Sequence, residues 1–351
     1  MRVMAFVRHS HVTGISAINY YRAISPLQHL SKRNDFDVEI LGQEEIRSIT
    51  ENGESETLLG RDLYLTSRLF AGRAGRHEFI DVLHQHGGKV VFDTDDDLTD
   101  EYRKLGRGED FKGVLRDVDY VTVSTPYLRD CLAPYTKHVP VVLPNHVDAK
   151  WFSGASLGSE RKYPGLTIGF IGTASHYDDW KFPMEALHRL ATEYEGICIL
   201  AAGYAPDYLR ALPNFHELDP VPYVMYPSLM RQFDIVCCSL DAEDGFNKSK
   251  SSIKALESMA AARVLPNGKI GGAVPVCTNM KVYRRTVQNK HNGLLTDNDH
   301  WYETLSHLID DRLLRQRLAM QGLTWVTKNR DIRQGHRKWG LAYQKMMEGR
   351  I

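Results

Sequence analysis

One stretch of the sequence combines the residue types needed to hold a diphosphate. It runs Gly245-Phe246-Asn247-Lys248-Ser249-Lys250-Ser251-Ser252-Ile253-Lys254-Ala255-Leu256-Glu257. Ser251 or Ser252 can cap a helix, and Lys250 lies just before that N-terminus. Backbone N–H groups left open at a helix start, with an ammonium beside them, attract and hydrogen-bond phosphate oxygens. Glu257 falls one to two turns further in, where a carboxylate can accept hydrogen bonds from a ribose diol. A solvated, lysine-rich helix start has the same composition. The position after a strand of the chain's second half favours the binding role.

A second segment of that half, Gly169 to His176 (GFIGTASH), also ends a strand. Gly172, Thr173 and Ser175 offer small side chains and hydroxyls, and His176 can hydrogen-bond a phosphate or a sugar hydroxyl. Asp178 and Asp179 look like caps for a helix that starts near Trp180. The segment lacks the GxGxxG pattern, which argues against a nicotinamide cofactor. In the first half, Gly14 sits at the first strand-to-helix turn, where a glycine lets backbone N–H groups approach a phosphate or sugar closely. A tight turn alone would explain it equally well. The acidic run Asp93-Thr94-Asp95-Asp96-Asp97 ends a strand of the first half. It has the look of a divalent metal site, but it lies away from the diphosphate stretch. Binding of an acceptor, or capping and turn formation, is the expected role, and no metal is assigned.

Basic residues gather at Arg61, Arg68, Arg73, Arg76 and His77. A solvated surface is the default for such a group. An anionic partner (lipid phosphate, phosphorylated glycan or DNA) is the alternative. No aromatic–basic interleaving marks a single-strand groove. Arg330, Arg333, Arg337 and Lys338 look like the solvated charges of one late helix.

These residues need elements to position them. Short apolar runs at Val3–Val7, Asp37–Leu41, Lys89–Phe92, Asp119–Ser124 and Val139–Leu143 alternate with helical stretches through Tyr20–Leu30 and Phe79–His86. A polar, acidic stretch from Gly42 to Arg61 reads as loop with a short helix. A second series follows at Leu166–Ile171, Ile197–Ala201, Asp234–Ser239 and Ala273–Cys277. Helices fall between them near Phe182–Tyr194, Tyr226–Gln232 and Ser251–Ala262. Strands alternating with helices predict parallel sheets covered on both faces. Residues 1–150 form one expected domain and 165–328 the other, with the Gly- and Ser-rich stretch 151–164 as linker and 329–351 as a final helix.

At 351 residues the chain is too long for one ordinary core and suits two α/β domains. Lys+Arg and Asp+Glu are both 44, so net charge gives no whole-molecule pull toward nucleic acid or an anionic membrane. Five cysteines (Cys131, Cys198, Cys237, Cys238, Cys277) show no metal or CxxC spacing and read as buried thiols of a reducing compartment. With no signal segment and no apolar run of membrane length, a cytoplasmic protein is expected.

The order of segments resembles GT-B retaining glycosyltransferases of the large group 1 type (family 4). The resemblance rests on Tyr20-Tyr21-Arg22 with Pro26 and Leu30; on Lys89 to Asp97; on Val123-Ser124-Thr125-Pro126-Tyr127-Leu128; and on Leu143-Pro144-Asn145-His146-Val147-Asp148. It continues through Ile168 to His176, Lys250 to Glu257, Pro275-Val276 and Asn292-Gly293-Leu294-Leu295. It implies two Rossmann-like domains facing a cleft. A nucleoside diphosphate sugar, UDP-linked by preference, would bind chiefly to the second domain, with its base against Val221-Pro222-Tyr223 and its diphosphate at Lys250 to Ile253 with Lys254. Glu257 matches the second glutamate of the family's Glu-x7-Glu motif and would hold the ribose. Gly14, with Gly172, Thr173 and Ser175, would help bind the donor, and the acceptor would lie near Gly14 as well. The acceptor would lie near Tyr21, Arg22, Asp93, Asp96 and Asp97. Lys250, His176 and Asp95 are the catalytic candidates, and no metal is required. The last helix would cross back onto the first domain.

Two departures stand out. Ser249 occupies the place of the motif's first glutamate, with Asp244 as a possible substitute. Arg263 to Gly272 (RVLPNGKIGG) looks like an insertion, a hairpin or lid. The expected reaction is glycosyl transfer to a cell-surface glycan or lipid-linked acceptor, with peripheral membrane contact as an option. Transfer to modified DNA, sugar-nucleotide epimerisation and non-catalytic sugar-nucleotide binding are the alternatives.

Overall fold

Arg2–Phe6 (β1) has buried side chains on both sides: Met4 and Phe6 enter one apolar cluster, Val3 and Ala5 another. A strand buried on both faces belongs inside a covered parallel sheet. In the computed structural model β1 pairs in parallel with Asp37–Leu41 (β4) and Leu63–Thr66 (β5). The structure describes residues 1–351 except 8, 11–13, 53–55, 68–75, 155–161, 164, 173–175, 177 and 213. The chain divides into two compact units. The first comprises Met1–Asn145, Ser249–Ser251 and Ile332–Ile351; the second comprises His146–Lys248 and Ser252–Asp331.

The first unit holds a six-stranded parallel sheet in the order β4-β1-β5-β6-β7-β8, completed by Lys89–Thr94 (β6), Tyr120–Val123 (β7) and Val141–Val142 (β8). A short antiparallel pair, His9–Ser10 (β2) and Gly14–Ile15 (β3), follows β1. Gly14 therefore sits in a hairpin strand opposite Ser10, not at the helix start. β5 was not foreseen, although Leu63 to Thr66 are all buried between β1 and β6. The polar stretch after β4 contains the helix Gln43–Asn52. The last helix, Ile332–Met347, belongs to this unit and packs on Ser25–Leu30. Trp339, Tyr343 and Met346 join the cluster that holds Val3, Ala5, Leu27 and Leu30.

The second unit holds another six-stranded parallel sheet, ordered β11-β10-β9-β12-β15-β16. Its strands are Leu166–Gly172 (β9), Ile197–Gly203 (β10), Phe215–Leu218 (β11), Ile235–Cys238 (β12), Val274–Thr278 (β15) and Leu294–Thr296 (β16). The strand order reverses between β9 and β12, so the loops after these two strands diverge to opposite faces. Such a switch point leaves a crevice at the strands' carboxyl ends. The antiparallel hairpin Arg263–Val264 (β13) and Ile270–Gly271 (β14) accounts for the 263–272 insertion. The stretch proposed as linker is helical at its start: Ala149–Gly154 forms a helix, Asp148 Oδ1 accepts from the Trp151 N–H at 3.0 Å, and Phe152 is fully buried. Two adjacent aromatics outweighed the Gly and Ser content there. Cys198, Cys237, Cys238 and Cys277 are buried and Cys131 half-buried, all unbridged.

Close strand packing sets a sharp constraint at Gly169. A Cβ there would lie 1.9 Å from the Leu200 carbonyl oxygen and 2.4 Å from the Phe233 ring. Gly169→Ala must part β9 from β10, and a loss of about 1–3 kcal/mol is expected from overpacking of this kind. The midpoint of urea unfolding reads it, and an unshifted midpoint would contradict the packing.

Candidate functional site

The switch point of the second sheet collects the groups with chemical capacity. After β12 the chain forms a short helix, Gly245–Ser249, and then the helix Ile253–Ala260. Asp244, the possible stand-in for the missing glutamate, is exposed and accepts from the Phe246 N–H at 3.0 Å. Ser252 occupies the N-cap of the second helix but does not cap it. Its hydroxyl is bonded to Thr286 Oγ1 at 2.6 Å, and Ser251 accepts from Asn145 Nδ2 at 2.9 Å. The expectation that one of these serines caps the helix is thereby corrected: both hydroxyls have stronger engagements elsewhere. The first backbone return bond runs from the Leu256 N–H to the Ser252 carbonyl. A helix start with no side-chain cap directs its first-turn N–H groups outward, a ready site for an anion.

Ile253 and Lys254 are half-buried in that first turn, and the Lys254 ammonium lies 4.8 Å from the centre of the Phe170 ring, over its face. Glu257 is buried at the same helix. Burial pushes the Tyr226 phenol well above its ordinary value, and the Glu257 carboxylate adds to the shift. Pro222 precedes the turn Tyr223–Met225, and the Tyr223 ring packs 5.5 Å from Tyr226 and 5.2 Å from Trp151. The expected base- and ribose-binding residues thus fall in one aromatic neighbourhood.

At the end of β9, Gly172 lets His176 fold back. A Cβ at 172 would come within 3.0 Å of His176 Cδ2 and 2.9 Å of the Phe170 ring. Thr173 and Ser175 lie outside the described residues. His176 Nδ1 lies 2.7 Å from Asp179 Oδ2. The other oxygen of Asp179 accepts from Asn247 Nδ2 and from the Asp241 N–H, each at 2.9 Å. Asp179 is thus not a helix cap. Buried and fully engaged, it fixes the imidazole so that the proton rests on Nδ1 and Nε2 is the remaining ring nitrogen. Asp241 in turn accepts from Lys181 Nζ at 2.6 Å, which holds its carboxyl below the usual range. Asp179, Asn247 and Asp241 join the candidate site through these bonds; an aspartate three residues after a histidine at a strand end is a signal for Asp179, and no local pattern points to the other two.

In the first unit, the proposed acceptor residues divide. Tyr21, Arg22 and Asp93 are buried, and the latter two are committed inward. Arg22 donates to Asp93 from Nε at 2.9 Å and Nη2 at 2.8 Å, and from Nη1 to the Leu143 carbonyl and to Asn145 Oδ1. Thr122 Oγ1 donates to Asp93 at 2.5 Å. The polar atoms of Arg22 and Asp93 are thus bonded within the core, and Tyr21 is buried beside Tyr20. Asp95, Asp96 and Asp97 are half-buried beyond β6. The Asp97 N–H donates to Ser249 Oγ at 3.1 Å, its carboxylate accepts from Thr99, and Thr125 Oγ1 donates to the Ser249 carbonyl at 3.0 Å. Asn145 joins the Arg22 network to Ser251. The residues on either side of half-buried Lys250 are therefore anchored in the first unit, by Asp97 and Thr125 before it and by Asn145 after it.

Of the basic group, only the Arg61 side chain lies among the described residues. Arg61 is paired with Glu39 and lies near Asp37, Arg68 and Arg73 are outside the described residues, and so are the side chains of Arg76 and His77. Arg330 precedes the last helix and is half-buried, which pushes its guanidinium down. Among the described residues no group of three His, Cys, Asp or Glu is arranged to hold a metal ion, and no helix is long and apolar enough to cross a membrane.

No known family profile matches the sequence, and no curated protein sequence matches it. Solved structures do. The fold is similar to that of Anabaena HepE in complex with UDP and glucose, with a TM-score of 0.69 at 12% identity, covering 98% of this chain and 100% of that one. Sucrose-phosphate synthase from Thermosynechococcus elongatus gives a TM-score of 0.67 at 12% identity over 99% of this chain and 100% of that one. A putative UDP-N-acetylglucosamine 2-epimerase from Listeria monocytogenes gives 0.61 at 9% identity over 99% and 97%. At these identities the likeness is one of fold. The fold is GT-B: two Rossmann-like units, each built on a six-stranded parallel sheet.

Proposed function

We propose that this chain is a glycosyltransferase that uses a nucleoside diphosphate sugar, UDP-linked by preference. The uncapped start of the helix Ile253–Ala260, at the carboxyl end of β12, carries the reading. The diphosphate docks on its first-turn N–H groups, Glu257 accepts from the ribose diol, and the base lies along Pro222 and Tyr223. In the reaction the bond from the sugar's anomeric carbon to the diphosphate breaks. A bond to an acceptor hydroxyl oxygen forms on the same face, and that hydroxyl's proton passes to the departing diphosphate oxygen. Charge then builds on the diphosphate, so fixed N–H groups, Lys250 and the Nε2 side of His176 act on the step itself. Asp95 is the third catalytic candidate, and Asp96 and Asp97 are the acceptor-side candidates. The acceptor class is a cell-surface glycan or lipid-linked precursor, the work is done without a resident metal, and the unbridged cysteines favour a cytoplasmic setting.

A thermal-shift screen across UDP, GDP, ADP and CMP sugars tests the donor. A UDP-sugar is expected to raise the midpoint most, because only a ligand of the folded state does so. No shift with any of them would remove the reading. Glu257→Gln keeps the shape and removes the charge, and a loss of about 10- to 100-fold in donor affinity is expected for a charged hydrogen bond. Calorimetric titration with UDP measures it, and unchanged affinity would take Glu257 out of the site.

The likeness to a putative epimerase, together with Ser249 in place of a carboxylate, supports a second reading: epimerisation of the donor sugar. Labelled donor incubated without acceptor separates the two. Isomerised sugar nucleotide appears only for an epimerase.

A further inference from the structure

We propose that the second unit carries a separate site for a small tetrahedral oxyanion, formed by Arg263, Arg312, Arg315 and Gln316 where the β13–β14 hairpin meets the helix Arg312–Asn329. The hairpin is fastened there by the Gly272 N–H, which donates to the Ala319 carbonyl at 3.0 Å. Between the two lies a cavity of about 30 Å³, lined by these four side chains with Asp234 and Leu265. One water needs about 10–15 Å³. The cavity therefore admits two or three oxygen-sized atoms: a phosphoryl group enters in part, with its remaining oxygens at the mouth beside exposed Arg312, and a nucleotide is excluded.

The charges there do not balance. Three guanidinium groups meet two carboxylates, Asp234 and Asp311, which leaves an excess of one positive charge. Asp234 already accepts from Arg263 Nη2 at 2.9 Å and from the Thr167 N–H at 2.8 Å. Arg315 spends Nη1 on the carbonyls of Leu308 and Ile309. Arg312 is exposed, and among the described residues it has no acidic partner. Burial lowers the Arg315 guanidinium; Asp234 and, more weakly, Asp311 oppose this, while repulsion from Arg312 and Arg263 adds to it. The independent observation is Gln316. It is 6% exposed, and its Nε2 is buried with no hydrogen-bond partner among the described residues. A buried amide donor left unsatisfied is costly, and an oxyanion in the cavity satisfies it while neutralising the excess charge.

The ligand is either free phosphate or the phosphoryl group of a phosphomonoester. Calorimetric titration of the full chain at fixed ionic strength, with inorganic phosphate in one arm and glucose 6-phosphate in the other, distinguishes them. Binding in either arm is expected to weaken about ten-fold or more in Arg312→Ala and Gln316→Leu, and to persist in Lys250→Ala. Arg312 is exposed, so Arg312→Ala should fold; it decides the matter if Gln316→Leu does not. No binding in either arm, or binding that falls in Lys250→Ala but not in Arg312→Ala, overturns the proposal. This site stands apart from the proposed donor site, so failure of either leaves the other intact.

Discussion

Alanine at position 250 is expected to lower turnover by about 10²–10³-fold while leaving acceptor affinity within a few-fold. An ammonium beside the uncapped helix start acts most strongly when the leaving diphosphate gains charge. Its loss therefore falls on kcat more than on KM. The expectation is sharpened by the anchoring of its neighbours. Ser249 and Ser251 are each held by side chain or backbone of the first unit, so Lys250 has little freedom to be replaced by a shifted neighbour such as Lys248. Steady-state kinetics over donor and acceptor concentrations measure the split. Unchanged turnover would remove Lys250 from the mechanism.

Asp93→Ala is expected to destabilise the protein by about 3–5 kcal/mol, because it strands the Arg22 guanidinium in the core. Arg22 and Asp93 side chains are each 1% exposed, and burial pulls the guanidinium down while Asp93 more than restores it. Replacing both at once removes the unpaired charge. The pair Arg22→Met with Asp93→Leu should therefore unfold at a denaturant concentration closer to wild type than Asp93→Ala alone. Chemical denaturation of the three proteins tests this. Equal losses in the single and double variants would show that the network, not the stranded charge, sets the cost. Asn145 joins Arg22 to Ser251, so turnover measured on folded Asp93→Ala also reports how far this network sets the position of Lys250.

The sheets were legible where strands were apolar on both faces, as in β1, β9, β10 and β12. Leu63–Thr66 escaped because its four residues follow a polar stretch and carry a threonine, and only its neighbours on both sides make it central. At the site, residue type and chain position were readable, but commitments across the chain were not. Arg22 and Asp93 looked like ligand groups by type, yet they lie 71 residues apart and bond to each other. Asp179 looked like a cap by position, yet its carboxylate reaches 68 residues onward to Asn247. Pairings over such distances leave no periodic trace in the sequence.

The helix Ile253–Ala260 also forgoes a source of permanent stability. A serine at its N-cap would ordinarily supply about 1 kcal/mol. Here that hydroxyl is tied to Thr286. Under the proposed function, the diphosphate supplies the stabilisation that the first turn forgoes. Amide protons of residues 253–255 should exchange more slowly once a diphosphate is present, which makes the helix start a gauge of how full the site is.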